Sequence, residues 1–204
     1  MNTTEKGSSF EKEVMAKVQK LLESGKFSVS GNYWEIFHQK EYYSDHRKAN
    51  IRVDVSVEFR RTATSPPSFF VFIECKDYAG PVPVGDVEEF YAKTQQISGV
   101  NVKGILFTRV GLQEGAFNCA KSYGMAVVRL LHDDDLQWMI ERTNQHLSTA
   151  IPNSIQINVI NALTNEYFVS TRRQMFALYR DTVSYGLDEI FLEWLKAMDP
   201  GCLG

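Results

Sequence analysis

The chain has 204 residues, 44% hydrophobic and 23% charged, an ordinary globular composition that is long enough for one domain plus an extension or for two small domains. A net charge of −3 excludes a module that holds nucleic acid by overall basicity, though not local basic clusters, and no stretch is apolar enough for a membrane span. Three scattered cysteines, Cys75, Cys119 and Cys202, exclude a disulfide framework and a structural zinc site; with a start, Met1-Asn2-Thr3-Thr4-Glu5-Lys6, that has no apolar signal segment, they predict a reduced, cytoplasmic protein.

Gly7 to Ser24 reads as a helix, with Ser8 or Ser9 as N-cap, Phe10, Val14, Val18, Leu21 and Leu22 on one side, and Gly25 as the stop. Within Phe27 to Tyr43, Trp34-Glu35-Ile36-Phe37 reads as a first strand. The aromatics around it, Tyr33, Trp34, Phe37, Tyr42 and Tyr43, suit core packing, with base stacking as the alternative. The polar loop Asp45-His46-Arg47-Lys48 follows, and Arg47 and Lys48 are candidate phosphate contacts; His46 has no partner at metal-ligand spacing.

Ile51, Val53, Val55, Val57 and Phe59 alternate with Arg52, Asp54, Ser56, Glu58 and Arg60, the pattern of a half-buried strand with Asp54 on its polar face. Phe69-Phe70-Val71-Phe72-Ile73 is an unbroken apolar run, the pattern of a strand covered on both faces, and it ends in Glu74-Cys75-Lys76. The segment Arg61 to Ser68 between them has turn chemistry, which predicts an antiparallel hairpin centred near Thr64. In that register Phe59 faces Phe69, Val53 faces Cys75 and Asp54 faces Glu74. Directly paired side chains stand roughly 4.5–5.5 Å apart at Cβ, close enough for two carboxylates to share one divalent cation. Period two places Lys76 beside Glu74, with Cys75 on the opposite, buried face.

After the loop Ala79 to Pro83, Asp86 is expected to cap a helix carrying Val87, Phe90, Tyr91, Thr94 and Ile97, with Lys93, Gln95 and Gln96 on its polar faces. Gly104 to Thr108 reads as a buried strand, Leu112 to Tyr123 as a helix and Met125 to Arg129 as another buried strand, which together make a parallel crossover. Beyond residue 131 the reading thins. Asp133-Asp134-Asp135 is expected to cap a helix, Ile155, Ile157 and Val159 alternate as a strand, and Met175, Phe176 and Tyr179 read as a helix. Leu187, Ile190, Phe191, Trp194, Leu195 and Met198 read as a further helix. Residues 132–204 are therefore expected to be an α+β, mainly helical extension that packs on a 1–131 core, builds a homodimer interface or recognises nucleic acid through Arg172, Arg173 and Arg180.

Asp54 followed by Glu74-Cys75-Lys76 resembles the PD-(D/E)xK nucleases, and the flanking run resembles their Mrr-like restriction endonuclease branch. That run is Lys76-x-Tyr78, Pro81-Val82-x-Val84-x-x-Val87, Gly104-Ile105-Leu106-Phe107-Thr108, Ala116, Ala120 and Gly124, so the resemblance spans roughly residues 7 to 131. It implies an α/β restriction-endonuclease-like core, a mixed sheet flanked by helices in the order αβββαβαβ. It implies a Mg2+ site, with Mn2+ as substitute, at Asp54, Glu74 and the backbone carbonyl of Cys75. It also implies an acidic residue beside the active site with a catalytic part, at Glu11, which reads equally as a solvated carboxylate in the first helical turn, and a weaker nucleic-acid contact at Gln95. The expected function is hydrolysis of phosphodiester bonds, in DNA before RNA, in a restriction or defence role, with Lys76 positioning the attacking water. Two alternatives stand beside it: a nuclease-like domain that binds nucleic acid or a protein without cutting, and an unrelated hairpin whose Glu74–Lys76 pair is only structural.

Overall fold

A computed structural model describes residues 3–24, 33–97, 101–131, 159–165, 168, 175–179, 182–184, 187, 191 and 194. Helix α1 (Thr3–Glu23) leads into strands β1 (Tyr33–Ser44), β2 (Ala49–Arg60) and β3 (Phe69–Lys76), then helix α2 (Val84–Gln96), strand β4 (Asn101–Thr108), helix α3 (Glu114–Ser122) and strand β5 (Ala126–Leu130). Strands β6 (Met175–Tyr179) and β7 (Thr182–Ser184) bring the mixed sheet, among the described residues, to seven strands in sequential order. The protein is thus of the α/β class: β1, β2 and β3 are antiparallel, β3, β4 and β5 parallel, and β6 and β7 return antiparallel.

The unbroken apolar run of β3 is explained by helices on both of its sides. Val71 and Ile73 pack with Phe10, Val14 and Val18 of α1, while Phe70 and Phe72 pack with Val87 and Phe90 of α2 and Ala116 and Ala120 of α3. The same alternation accounts for Met175-Phe176-Ala177-Leu178-Tyr179, which is a strand and not the expected helix. Ala177 and Tyr179 face the α1 side and Phe176 and Leu178 the other, so every position is apolar and no polar face betrays the period. Val159, expected in a strand, is helical, in a stretch described over residues 159–164. Thus among the described residues the region beyond 131 supplies two strands to the sheet and a helical stretch beside them. Leu187, Phe191 and Trp194 keep the spacing expected of the last helix, with Phe191 N–H donating to Leu187 O at 2.9 Å. The expected elements at 133–143, together with Ile155, Ile157, Arg172, Arg173 and Arg180, lie outside the described residues.

Two contacts fix α2 against the end of β3. Gly104 of β4 lies under Phe90, where an added Cβ would come within 3.2 Å of the ring, so glycine permits the close approach of helix to sheet. The loops after β3 and β4 are also laced together, Val82 N–H donating to Gly111 O and Gln113 N–H to Val82 O, each at 3.0 Å. On the far side Arg129, buried in β5, donates to the carbonyls of Arg109 (3.1 Å), Ala162 (2.7 Å) and Asn165 (2.8 Å), tying the 159–164 helix to the sheet. No helix among the described residues is long and apolar enough to cross a membrane.

Candidate active site

The hairpin register is the expected one from Phe59↔Phe69 to Val55↔Ile73, and there the ladder stops. Asp54 does not pair with Glu74, nor Val53 with Cys75; instead Asp54 Oδ2 accepts the Cys75 N–H at 2.9 Å, a side chain taking up the strand's own donor. The reason lies one strand further out. Gln39 of β1 has φ 52°, the left-handed region that a non-glycine residue adopts at a cost, and the β1–β2 ladder omits the pair Gln39 and Asp54. Across this deformation Val53 packs on the α2 side of the sheet, while Val55 and Val57 pack on the α1 side. The period of two that the sequence displays is therefore broken at the residue on which the site depends.

The deformation assembles a second group of side chains. His38 and Gln39 are consecutive and in a regular strand would point to opposite faces. Here His38 Nε2 lies 2.8 Å from Glu11 Oε2, and Gln39 Nε2 donates to the same oxygen at 2.8 Å. Glu11 is nine residues into a helix that begins at Thr3, so neither Ser8 nor Ser9 is its cap and Glu11 is not the solvated first-turn carboxylate of the alternative reading; its side chain is only 13% exposed. Because an ionised carboxylate can only accept, the His38 contact requires the N–H on Nε2. Replacing His38 with Ala is expected to lower stability by about 1–2 kcal/mol in a urea melt, with Gln, which can still donate, losing less. Equal melts for the three proteins would remove His38 from this role.

Glu74 and Lys76 leave the end of β3 on one face, as period two requires, and both side chains are largely buried. Lys76 Nζ lies 3.1 Å from Glu74 Oε1 and 3.8 Å from Asp86 Oδ1, near the ring of Tyr78. Asp86 is not the N-cap of α2: that position is Pro83, without a side-chain cap, and Asp86 sits inside the first turn, its Oδ2 buried and without a hydrogen bond. A second ammonium converges from the same helix. Lys93 Nζ donates to both oxygens of Glu74, at 3.0 and 3.3 Å, and lies 3.5 Å from Glu89. The sequence reading left Lys93 on a solvated face. Asp86, Phe90 and Lys93 share one face of α2, but a lysine in such a stripe carries no sign of its own that it meets a buried carboxylate.

Burial raises the Asp54 carboxyl to about 6, helped by the negative charge of Glu74 and, more weakly, of Glu11; the Cys75 N–H and Lys93 act the other way. Burial opposes the charge on Lys76, but Glu74 and Asp86 outweigh it and hold the ammonium protonated well above its ordinary range. Burial pushes the Cys75 thiol well up, with Asp54, Glu11 and Glu74 adding to the effect. Cys75 packs against the α1-side core, so its side chain is a structural element, and any part it plays in the site falls to its backbone.

The weaker sequence candidates do not reach this cluster. Gln95 is exposed and its amide donates to Thr94 Oγ1 in its own helix, at 3.4 Å. Lys48 pairs with Asp45 at 3.6 Å in the β1–β2 turn, and Arg47 Nε donates to Gln96 Oε1 at 2.6 Å, which brings that turn against the last turn of α2. Of the aromatics, Tyr42 packs edge-on to Phe70 at 5.6 Å and Trp34 lies against the α1 side, whereas Tyr33 and Tyr43 are exposed.

Asp54 and Glu74 are hard oxygen donors of the kind magnesium takes, and their mutual repulsion is what a bound cation would relieve. Among the described residues no three His, Cys, Asp or Glu side chains converge as metal ligands. The chain matches no protein-family model, and a search of curated proteins returns no match.

Proposed function

We propose that the protein is a magnesium-dependent endonuclease of the PD-(D/E)xK type, nearest in pattern to the Mrr-like branch, cutting DNA in a restriction or defence role. The observation that carries this reading is the convergence of Asp54, Glu74 and Lys76 at the end of β3, with Asp54 turned in from β2 by the deformation opposite Gln39. The element order αβββαβαβ over residues 3–130 supports it, because that is the order expected of a restriction-endonuclease-like core. A cytoplasmic setting accords with the three scattered cysteines.

In this reading Asp54, Glu74 and the Cys75 carbonyl hold the cation, which when bound supplies a Lewis acid at the scissile phosphate. Lys76 acts as a fixed positive charge. Glu74 and Asp86 keep it protonated, so it orients the attacking water and stabilises charge growing on phosphorus without taking the proton. Glu11, held by two donors and near enough for its charge to reach Asp54, would add a further acceptor beside the site, and Lys93 would add a second positive charge near the phosphate.

The test is incubation of purified protein with plasmid, linear duplex, single-stranded DNA and RNA, with Mg2+ or with EDTA. Cleavage of DNA in Mg2+ and not in EDTA is expected. Retention of nucleic acid without cleavage under any divalent cation would instead select a binding domain.

A further inference from the structure

We propose that Lys93 is the resident counter-ion of Glu74: it occupies the carboxylate that a divalent cation needs and must leave before the metal can seat. The inference rests on the nuclease reading but concerns how the site is gated. Lys93 Nζ spans Glu74, reaching Oε1 at 3.0 Å and Oε2 at 3.3 Å, so with Lys76 on Oε1 the ammonium groups take most of the carboxylate's roughly four acceptor sites and neutralise the charge a cation would seek. Lys76 is different. It touches Oε1 alone, at 3.1 Å, is tethered two residues along the same strand, and has Asp86 on its other side.

Lys93 also has somewhere to go. Glu89, one turn back on α2, lies 3.5 Å away with its side chain 60% exposed, so a rotation of the lysine stem carries the ammonium from the buried carboxylate to the rim without moving the helix. The helix itself is held in place by Phe90 on Gly104 and by the laced loops at its start. Two full positive charges and a divalent ion cannot share one buried carboxylate without strong repulsion, because the interior screens charge far less than water. Metal entry is therefore an exchange of cations at Glu74, and the displaced ammonium is delivered to the mouth of the site, where a phosphodiester would lie.

The distinguishing consequence is that removing Lys93 strengthens metal binding. Mn2+ titration by calorimetry, without nucleic acid, is expected to show about tenfold tighter binding for Lys93→Met and Lys93→Gln, and a smaller gain for Lys76→Met. Uniform through-space repulsion would instead give equal gains, since both ammoniums lie equally near Glu74. In wild-type protein carrying 13Cε-labelled lysine, the Lys93 signal is expected to move to a solvent-exposed position as Mg2+ is added; this readout does not depend on how the variants fold. Mn2+ bound by wild type with equal or weaker binding by both Lys93 variants, or a Lys93 signal indifferent to Mg2+, would overturn the exchange and leave the nuclease reading standing. A flat titration for wild type would overturn both.

Discussion

Lys76→Ala is expected to lose about 10²-fold or more in cleavage rate while still binding Mn2+ and DNA, the scale seen when a positioned catalytic charge is removed. The expectation follows from the two carboxylates that flank its ammonium. Glu74 at 3.1 Å and Asp86 at 3.8 Å hold it in one place and keep it protonated, so its contribution is a charge at a defined position. Neither the metal nor the DNA backbone needs it to bind, and Glu74 retains Lys93 as a partner, so the fold should give up only about 2 kcal/mol. A gel assay in Mg2+ beside a thermal melt separates the outcomes. Equal cleavage by wild type and Lys76→Ala would mean that the reacting phosphate lies elsewhere.

Asp54→Asn is expected to abolish Mn2+ binding and, in metal-free protein, to stabilise the fold at neutral pH. Folding raises the Asp54 carboxyl from its ordinary value near 3.8 to about 6, so the folded chain holds the proton more tightly than the unfolded chain. Stability from this group is full below pH 3.8 and is lost as pH rises through about 6, a change on the order of 2–3 kcal/mol. Asparagine can still accept the Cys75 N–H through its side-chain carbonyl, and it carries no charge against Glu74. The difference in melting temperature between wild type and Asp54→Asn, followed from pH 4 to pH 7 in EDTA, should therefore grow in favour of the variant. Adding Mn2+ at neutral pH should raise wild type and leave the variant unmoved. Undiminished Mn2+ binding by Asp54→Asn would show that Asp54 is not a ligand.

Much of this site is local in origin, and to that extent the amino-acid sequence by itself determined it. The alternation from Val55 to Phe59, the apolar run from Phe69 to Ile73 and the turn chemistry around Thr64 define two strands and their register as far as Val55. The same period of two brings Glu74 and Lys76 out together. The parallel crossover from β4 through α3 to β5 is equally plain, because two short apolar runs flank a stretch with helical spacing.

Tertiary structure alone decided the rest, where a residue's fate depends on what packs against it. Met175 to Tyr179 is a strand because both its faces are covered, a condition that erases the polar alternation by which a strand is read. Glu11 is half-buried and held by two donors on one oxygen where β1 deforms at Gln39, and neither the deformation nor the meeting of residues 11, 38 and 39 has a local sign in the chain. Lys93 meets Glu74 because Gly104 lets Phe90 seat α2 close above β3. A lysine on a polar helix face reads the same whether it ends in water or against a buried carboxylate, and only the distance between helix and strand separates the two.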